Sequence, residues 1–313
     1  MSTTTNPAPA APAGSPAPAP TPARPRAGLG DRLSTVLYRH AWLRLLGLLG
    51  LPMLWLGVLY LGSLALLLIT AFWTTDSFTS QVIPAFTWEN FSEILTVAAY
   101  RDTALRTIGI ALAVTVLCAV IAIPLGLYMA KIASPRVRTW LAIGITLPLW
   151  AGYLVKVFSW RITFSEGGPL EWLLAPLGLS GPGYGTTALV ITLAYLWFPY
   201  MAVPVYTAFR SIPDNLFEAS ADLGGKAWRT VFSVALPLLK PALIAGSIFT
   251  FSLSLGDYIA AQFVGGKTQV IGTVIASNIN LNPPLAAAFA TVPILVVVLY
   301  LFLARKSGAL KHF

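Results

Sequence analysis

The chain has 313 residues, 57% of them hydrophobic and 10% charged, with a mean hydropathy of +0.76 and a formal net charge of +9. A water-soluble core of this length needs far less apolar sequence, and the repeated apolar runs are long enough to cross a bilayer, so the expected class is an all-α, polytopic membrane protein. The positive charge does not point to nucleic acid as a partner, because basic residues gather at alternate ends of the apolar runs, as orientation in a membrane requires.

Residues 1–32 are dominated by Ala, Pro, Ser and Thr, with no large apolar side chain between Met1 and Leu29. Such a segment cannot offset its ordering entropy by burial and is expected to be a disordered cytoplasmic tail. A signal peptide is not expected, since the first apolar run begins tens of residues in and is long. Arg24, Arg26, Arg32, Arg39 and Arg44 precede or open that run and are expected to hold the N-terminus in the cytoplasm. Residues 33–104 are read as an entry segment. It comprises an interfacial helix over 33–49 with Tyr38 and Trp42 at headgroup level, a first span over 51–73, and an external loop made acidic by Asp76, Glu89, Glu93 and Asp102.

The core is expected over residues 105–305. A second span over 105–131 is bent at Pro124-Leu125-Gly126, and the basic turn Ala133-Ser134-Pro135-Arg136-Val137-Arg138 follows on the cytoplasmic side. A third span covers 140–160 with Pro148 inside it. An external loop rich in turn formers, Glu166-Gly167-Gly168-Pro169 and Ser180-Gly181-Pro182-Gly183, leads to a fourth span over 186–209. A fifth over 242–264 and a sixth over 285–304 complete six transmembrane helices, with residues 306–313 as a cytoplasmic tail. Six crossings put both termini, and the loop between spans four and five, on the inner side.

That loop, residues 210–241, concentrates Asp214, Glu218, Asp222, Lys226, Arg229 and Lys240 between two apolar runs. Pro213 and Asp214 suit a helix start, because Pro fits the first turn and an acid there complements the exposed amides. Gly224-Gly225 permits the left-handed geometry that ends a helix. Trp228, Val231, Phe232 and Ala235 then recur at spacings of three and four, the pattern of a second amphipathic helix, and Pro237 and Pro241 are expected to interrupt or bend the chain as it returns toward lipid.

Two helices about a glycine in this spacing resemble the EAA loop of ABC-transporter permeases, the membrane subunits of ATP-driven importers. The family pattern is Glu-Ala-Ala, three residues, Gly, nine residues, then Ile-x-Leu-Pro. Here it reads Glu218-Ala219-Ser220, Ala221-Asp222-Leu223, Gly224, nine residues, and Val234-Ala235-Leu236-Pro237. The resemblance implies the MetI-like permease fold and makes Glu218, Ala219, Ser220, Asp222, Leu223, Gly224, Leu236 and Pro237 the residues that couple the chain to an ATPase. It implies as partners an ABC ATPase dimer, a second homologous permease in a heterodimer, and an extracytoplasmic solute-binding protein.

Two charges fall within reach of the membrane, where each costs about 2.5 to 3.5 kcal/mol at a span centre on insertion scales. Lys156, in Trp150-Ala151-Gly152-Tyr153-Leu154-Val155-Lys156, either snorkels to the headgroups or belongs to a solute pathway. Asp257 is too short to snorkel and must face protein, water or a partner such as Lys156. It is either a pathway or gate residue, or half of a structural ion pair. Beside Tyr258, with Trp160 and Trp197 on other spans, it suits a cationic solute by charge and cation–π attraction. The stretch Leu154-Val155-Lys156-Val157-Phe158-Ser159-Trp160 is similar to the Leu-Val-Arg-x-Tyr-x-Trp stretch of spermidine/putrescine importer permeases, with Lys for Arg and Phe for Tyr. Gly256-Asp257-Tyr258-Ile259 and Phe263-Val264-Gly265-Gly266 resemble their fifth span. With the loop, this likeness covers residues 105–305 and implies a polyamine solute; an amino-acid derivative or opine is the alternative solute. The candidate pathway residues are thus Asp257, Tyr258, Lys156 and Trp160.

The chain has no Gly-x-x-x-x-Gly-Lys-Ser/Thr phosphate loop, so ATP with Mg²⁺ is expected in a separate subunit and no cofactor in this one. An ATP-independent secondary transporter or channel is the competing class, but its inverted repeats and paired broken spans are not evident. The single cysteine, Cys118, and the scattered His40 and His312 give no disulfide, metal cluster or catalytic constellation.

Overall fold

A computed structural model describes residues 41–76, 79 and 81–306. The expected tails at 1–32 and 307–313, and residues 33–40 of the expected interfacial helix, lie outside the described residues. The chain divides into two units, residues 1–63 and 64–313.

The described part of the first unit is helix α1 (Ala41–Trp55), a π-turn (Leu56–Leu61) and the first two residues of α2 (Gly62–Thr70). Residues 41–49 of the expected interfacial helix belong to α1. The apolar stretch Leu48–Thr70 is long enough to span a bilayer, and Leu51, Leu54, Trp55, Val58 and Tyr60 are all exposed. An all-round apolar helix with an exposed surface is what lipid contact requires.

The second unit opens with the rest of α2, followed by a short antiparallel ribbon, β1 (Thr74–Thr75) and β2 (Val82–Ile83), and then α3 (Glu89–Thr96). Buried Asn90 donates through Nδ2 to the carbonyls of Ala71 (2.9 Å) and Trp73 (2.8 Å), satisfying acceptors just past the end of α2. Phe72, Phe86, Trp88 and Phe91 close over this joint, with Phe72 and Phe86 stacked at 5.0 Å.

The core is built on three long helices: α4 (Ala98–Leu127, prolonged by a π-turn, Tyr128–Ile132), α8 (Thr186–Ser211) and α11 (Leu236–Leu255). Between α4 and α8 come α5 (Pro135–Trp150), α6 (Tyr153–Thr163) and α7 (Pro169–Leu174). Helices α9 (Asp214–Asp222) and α10 (Ala227–Thr230) precede α11. Helices α12 (Ile259–Val264), α13 (Ile271–Asn278) and α14 (Pro283–Lys306) follow it. Helix α8 packs against both α4 and α11, and each crossing is made possible by a glycine. A Cβ on Gly126 would approach Val205 Cγ1 at 3.1 Å, and one on Gly246 would meet Met201 Sδ at 2.8 Å and Met201 Cα at 3.0 Å. Where lipid replaces water, such close backbone approach is a main source of helix association. Gly246→Val is therefore expected to push α11 off α8 and destabilise the protein by about 1–3 kcal/mol, the ordinary cost of overpacking. A lowered melting temperature in detergent reads this, with Gly109→Ala, at an open position, as the unaffected control.

The expected spans four and six are matched by α8 and α14 to within two residues at each end. Three expectations are corrected. The third span is not one helix, because α5 and α6 meet at a bend of 102°. Pro148 has no N–H for the Gly144 carbonyl, which weakens the last turn of α5, and Ala151 and Gly152 then take extended conformations before Gly152 caps α6. The basic segment 133–138 is a turn only at its start, since Pro135 already opens α5. Pro237 and Pro241 do not interrupt the chain: α10, a π-turn (Val231–Ala235) and α11 form one continuous span, Ala227–Leu255. The Leu236 N–H reaches back to Val231 O across the π-turn, and Pro237 falls in the first turn of α11, where a missing N–H costs least.

Candidate functional site

Within 210–241, helices α9 and α10 are joined through a left-handed glycine. Pro213 caps α9, and Asp214 occupies its first turn. At the other end, Gly224 has φ +78°, its N–H bonds to Ala221 O (2.8 Å), and the Gly225 N–H bonds to Ser220 O (2.8 Å). This 6→1 and 5→2 pair is the Schellman arrangement. Gly225 is needed for a different reason: a Cβ there would lie 2.6 Å from both Ser220 O and Oγ. Ser220 and Thr230 hydroxyls meet at 2.7 Å, so the serine that replaces the family's alanine ties α9 to α10.

Glu218, Ala219, Asp222, Leu223, Gly224 and Pro237 are exposed, and Ser220 and Leu236 are half-buried. Leu216, Ala219, Ser220, Leu223, Gly224, Gly225 and Arg229 line a groove of about 450 Å³ whose rim includes Leu223, 90% exposed. A large apolar side chain standing free beside a preformed groove is the form of a docking surface.

The second cluster forms where α11 ends. Gly256 terminates the helix, and Asp257 turns its side chain onto the backbone, its Oδ1 accepting the Ala260 N–H at 2.9 Å. Asp257 thus sits at a helix break rather than mid-span, correcting the expected continuous fifth span over 242–264. Its Oδ1 also accepts the Tyr153 hydroxyl at 2.5 Å. Lys156 is not its partner: the lysine is buried on α6 and forms no ion pair with any described residue. Among the described residues, the buried side-chain polar atoms without a hydrogen-bond partner are Asp257 Oδ2, Trp197 Nε1 and Ser252 Oγ. All three residues line one cavity of about 370 Å³ together with Tyr153 and Tyr258. Tyr153 and Trp197 stack at 6.2 Å, and Gly272 of α13 lets the backbone come against Tyr258. Buried polar groups are almost always paired, so three unpaired atoms on residues that line one cavity make it a candidate place for a polar ligand or water.

Of the expected pathway residues, Asp257 and Tyr258 meet in this cavity, and Trp197 joins them. Lys156 and Trp160 do not line it. Trp160 packs on Phe164 and Tyr195 and borders an apolar groove of about 460 Å³ between α4, α5 and α8. Sequence reasoning missed Tyr153 and Ser252. Tyr153 lies directly after Gly152, and a tyrosine at the first position past a Pro/Gly break was the available signal.

A bundle of apolar helices with one broken span, an intramembrane acid at a second break and a groove-bearing amphipathic element between two crossings defines a transport permease of MetI-like fold. The chain belongs to the binding-protein-dependent transport system inner membrane components, the ABC permeases, whose family pattern matches residues 122–307. It is 39% identical over 301 residues to the inner membrane ABC transporter permease protein YdcU of Escherichia coli (strain K12), covering 91% of this chain and 96% of that protein. It is 30% identical over 250 residues to the spermidine/putrescine transport system permease protein PotB of the same organism, covering 77% of this chain and 90% of that one. In fold it is similar to a chain of a bacterial alginate ABC transporter solved in complex with an alginate pentasaccharide-bound periplasmic protein, with a TM-score of 0.67 at 15% identity over 87% of this chain and 96% of that chain. Membership of this family displaces the ATP-independent transporter as the competing class.

Proposed function

We propose that this chain is one of two permease subunits of an importer that carries a small cationic solute of the polyamine type, such as spermidine or putrescine, across the inner membrane. Separate ABC ATPases, using ATP and Mg²⁺, dock on residues 210–241, with Glu218, Leu223 and Gly224 at the contact. An extracytoplasmic binding protein delivers the solute, and the docking element and both termini face the cytoplasm. The reading rests chiefly on Asp257 Oδ2, a buried acceptor without a partner in a cavity walled by Tyr153, Trp197 and Tyr258. An ammonium group supplies the missing donor and is held by the aromatic faces, each such contact contributing about 0.5–2 kcal/mol. The resemblance to PotB supports the same solute class.

Trp197 Nε1 favours a second reading. It is an unpaired donor in the same cavity, and an ammonium has no acceptor to offer it. An amino-acid derivative or opine carries both an amine and an oxygen acceptor. Uptake of labelled putrescine by cells expressing the complete transporter separates the two. Strong competition by spermidine with none by an opine is the expected result; competition by the opine alone would replace the first reading with the second.

A further inference from the structure

The described residues contain one ion pair between separate elements, Lys131 with Asp214 at 2.6 Å; the other, Arg101 with Asp102, joins chain neighbours. Lys131 lies in the π-turn that ends α4. Its ammonium also donates to Ile212 O at 2.6 Å and stands 5.3 Å from the Phe217 ring centroid. Three contacts therefore grip the segment that starts α9: a backbone carbonyl before it, the acid in its first turn and an aromatic one turn further on. The Lys131 side chain is 16% exposed and Asp214 77%, so the lysine is set into the protein and reaches out to an acid on the surface helix.

The same end of α4 is held from its other side. Arg138 of α5 donates through Nε to Met129 O at 2.9 Å and through Nη2 to Ala130 O at 3.3 Å. These are carbonyls that the π-turn and the helix end release from intrahelical pairing. Arg138 thus locks the terminus of α4 from which Lys131 projects. Beyond it, α4 runs through the core against α8 and α11, the helices that carry Trp197 and Ser252.

We propose that Lys131 is the positioning residue that joins the ATPase-docking helix to the core, so that a displacement of α9 moves α4 with it. A surface ion pair alone contributes little, but a charged donor shared between a buried carbonyl, a carboxylate and a ring makes a short connection with no slack. Without it, α9 keeps the two-residue connection Ile212–Pro213, the packing of Phe217 on the core and its contacts with α10 and the following π-turn, but loses its polar tie to α4. The proposal rests on the reading of 210–241 as an ATPase-docking element.

The test uses the purified complex of this chain with its partner subunits, in a Cys118→Ser background carrying Ser252→Cys as a reporter in the cavity. The labelling rate of that thiol by a membrane-impermeant maleimide is measured without nucleotide and in the ATP–vanadate-trapped state, which needs no knowledge of the solute. With Lys131 present the rate is expected to change by about fivefold or more, the lower end of ordinary coupling between sites. In Lys131→Gln the ATPase is expected to co-purify and hydrolyse ATP while the change in labelling is lost, and Lys131→Arg is expected to restore it. A Lys131→Gln complex that retains the full change overturns the proposal, as does a parent complex that shows no change. Failure of the ATPase to co-purify with the parent overturns the docking reading itself and is distinct from both.

Discussion

Gly224→Val is expected to lower ATP-driven uptake and co-purification of the ATPase roughly five- to 150-fold while leaving the chain in the membrane. Gly224 holds φ at +78°, where a β-branched residue is strained by about 1–3 kcal/mol. A Cβ added there meets nothing within 4 Å, so the effect comes from the backbone and not from crowding. The strain falls on the turn that sets α10 against α9. Relieving it costs the bonds from Gly224 N–H to Ala221 O and from Gly225 N–H to Ser220 O, and with them the groove beside Leu223. At about 1.4 kcal/mol for each factor of ten, the docking-competent loop falls roughly five- to 150-fold in population. The long helices α4, α8 and α11 keep their packing, which is why insertion survives. Gly224→Asn is the control, because Asn tolerates the left-handed region, and it is expected to retain most uptake. A Gly224→Val complex that binds its ATPase as the parent does removes the docking role from this turn.

How much of this was legible beforehand depended on whether the signal was local. The end of α9 was readable because two adjacent glycines after an acidic, alanine-rich stretch admit few other backbones, and α8 and α14 were readable because their apolar runs are bounded by polar residues on both sides. The break between α5 and α6 was not, since Pro148 occurs in a span just as Pro199 and Pro204 do, and those two leave α8 continuous. What differs is Gly152 shortly after it, a residue with no side chain and a poor helix former. Pro237 and Pro241 misled in the opposite direction, because a π-turn shifts the hydrogen-bond register just before them. The partner of Asp257 was the hardest case. Charge suggested Lys156, but the acid instead meets Tyr153, one helical turn earlier on α6 and 104 residues away in sequence. A bent span decides which face of α6 meets α12, and the bend was the feature that the pattern of apolar residues did not carry. Ser220 stands where the family pattern has alanine, and its hydroxyl acquires meaning only once Thr230 folds back against it.

Asp257→Asn is expected to lower uptake of a cationic solute by about ten- to a hundredfold with the complex still assembled, corresponding to about 1.5–3 kcal/mol for a hydrogen bond between charged groups. The substitution is chosen because it isolates one atom. The amide oxygen can keep the positions now held by Oδ1, accepting the Tyr153 hydroxyl and the Ala260 N–H, so the turn between α11 and α12 is preserved. What changes is the Oδ2 position, where an acceptor without a partner becomes an N–H donor. An ammonium then meets a donor instead of a carboxylate, while a solute carrying an acceptor meets an added donor beside Trp197 Nε1. A solute that carries both an amine and an acceptor can set the new donor against the lost contact to its amine, so its uptake is expected to fall less than that of a polyamine. Tyr153→Phe is the companion measurement: it removes one donor to Oδ1 and leaves Oδ2 untouched, so its effect on uptake is expected to be several-fold smaller. Concentration dependence of uptake in the two variants distinguishes the roles, since loss of a solute contact at Oδ2 raises the half-saturating concentration. If Asp257→Asn transports with unchanged kinetics, the carboxylate serves the helix break alone and the cavity is not a cation subsite.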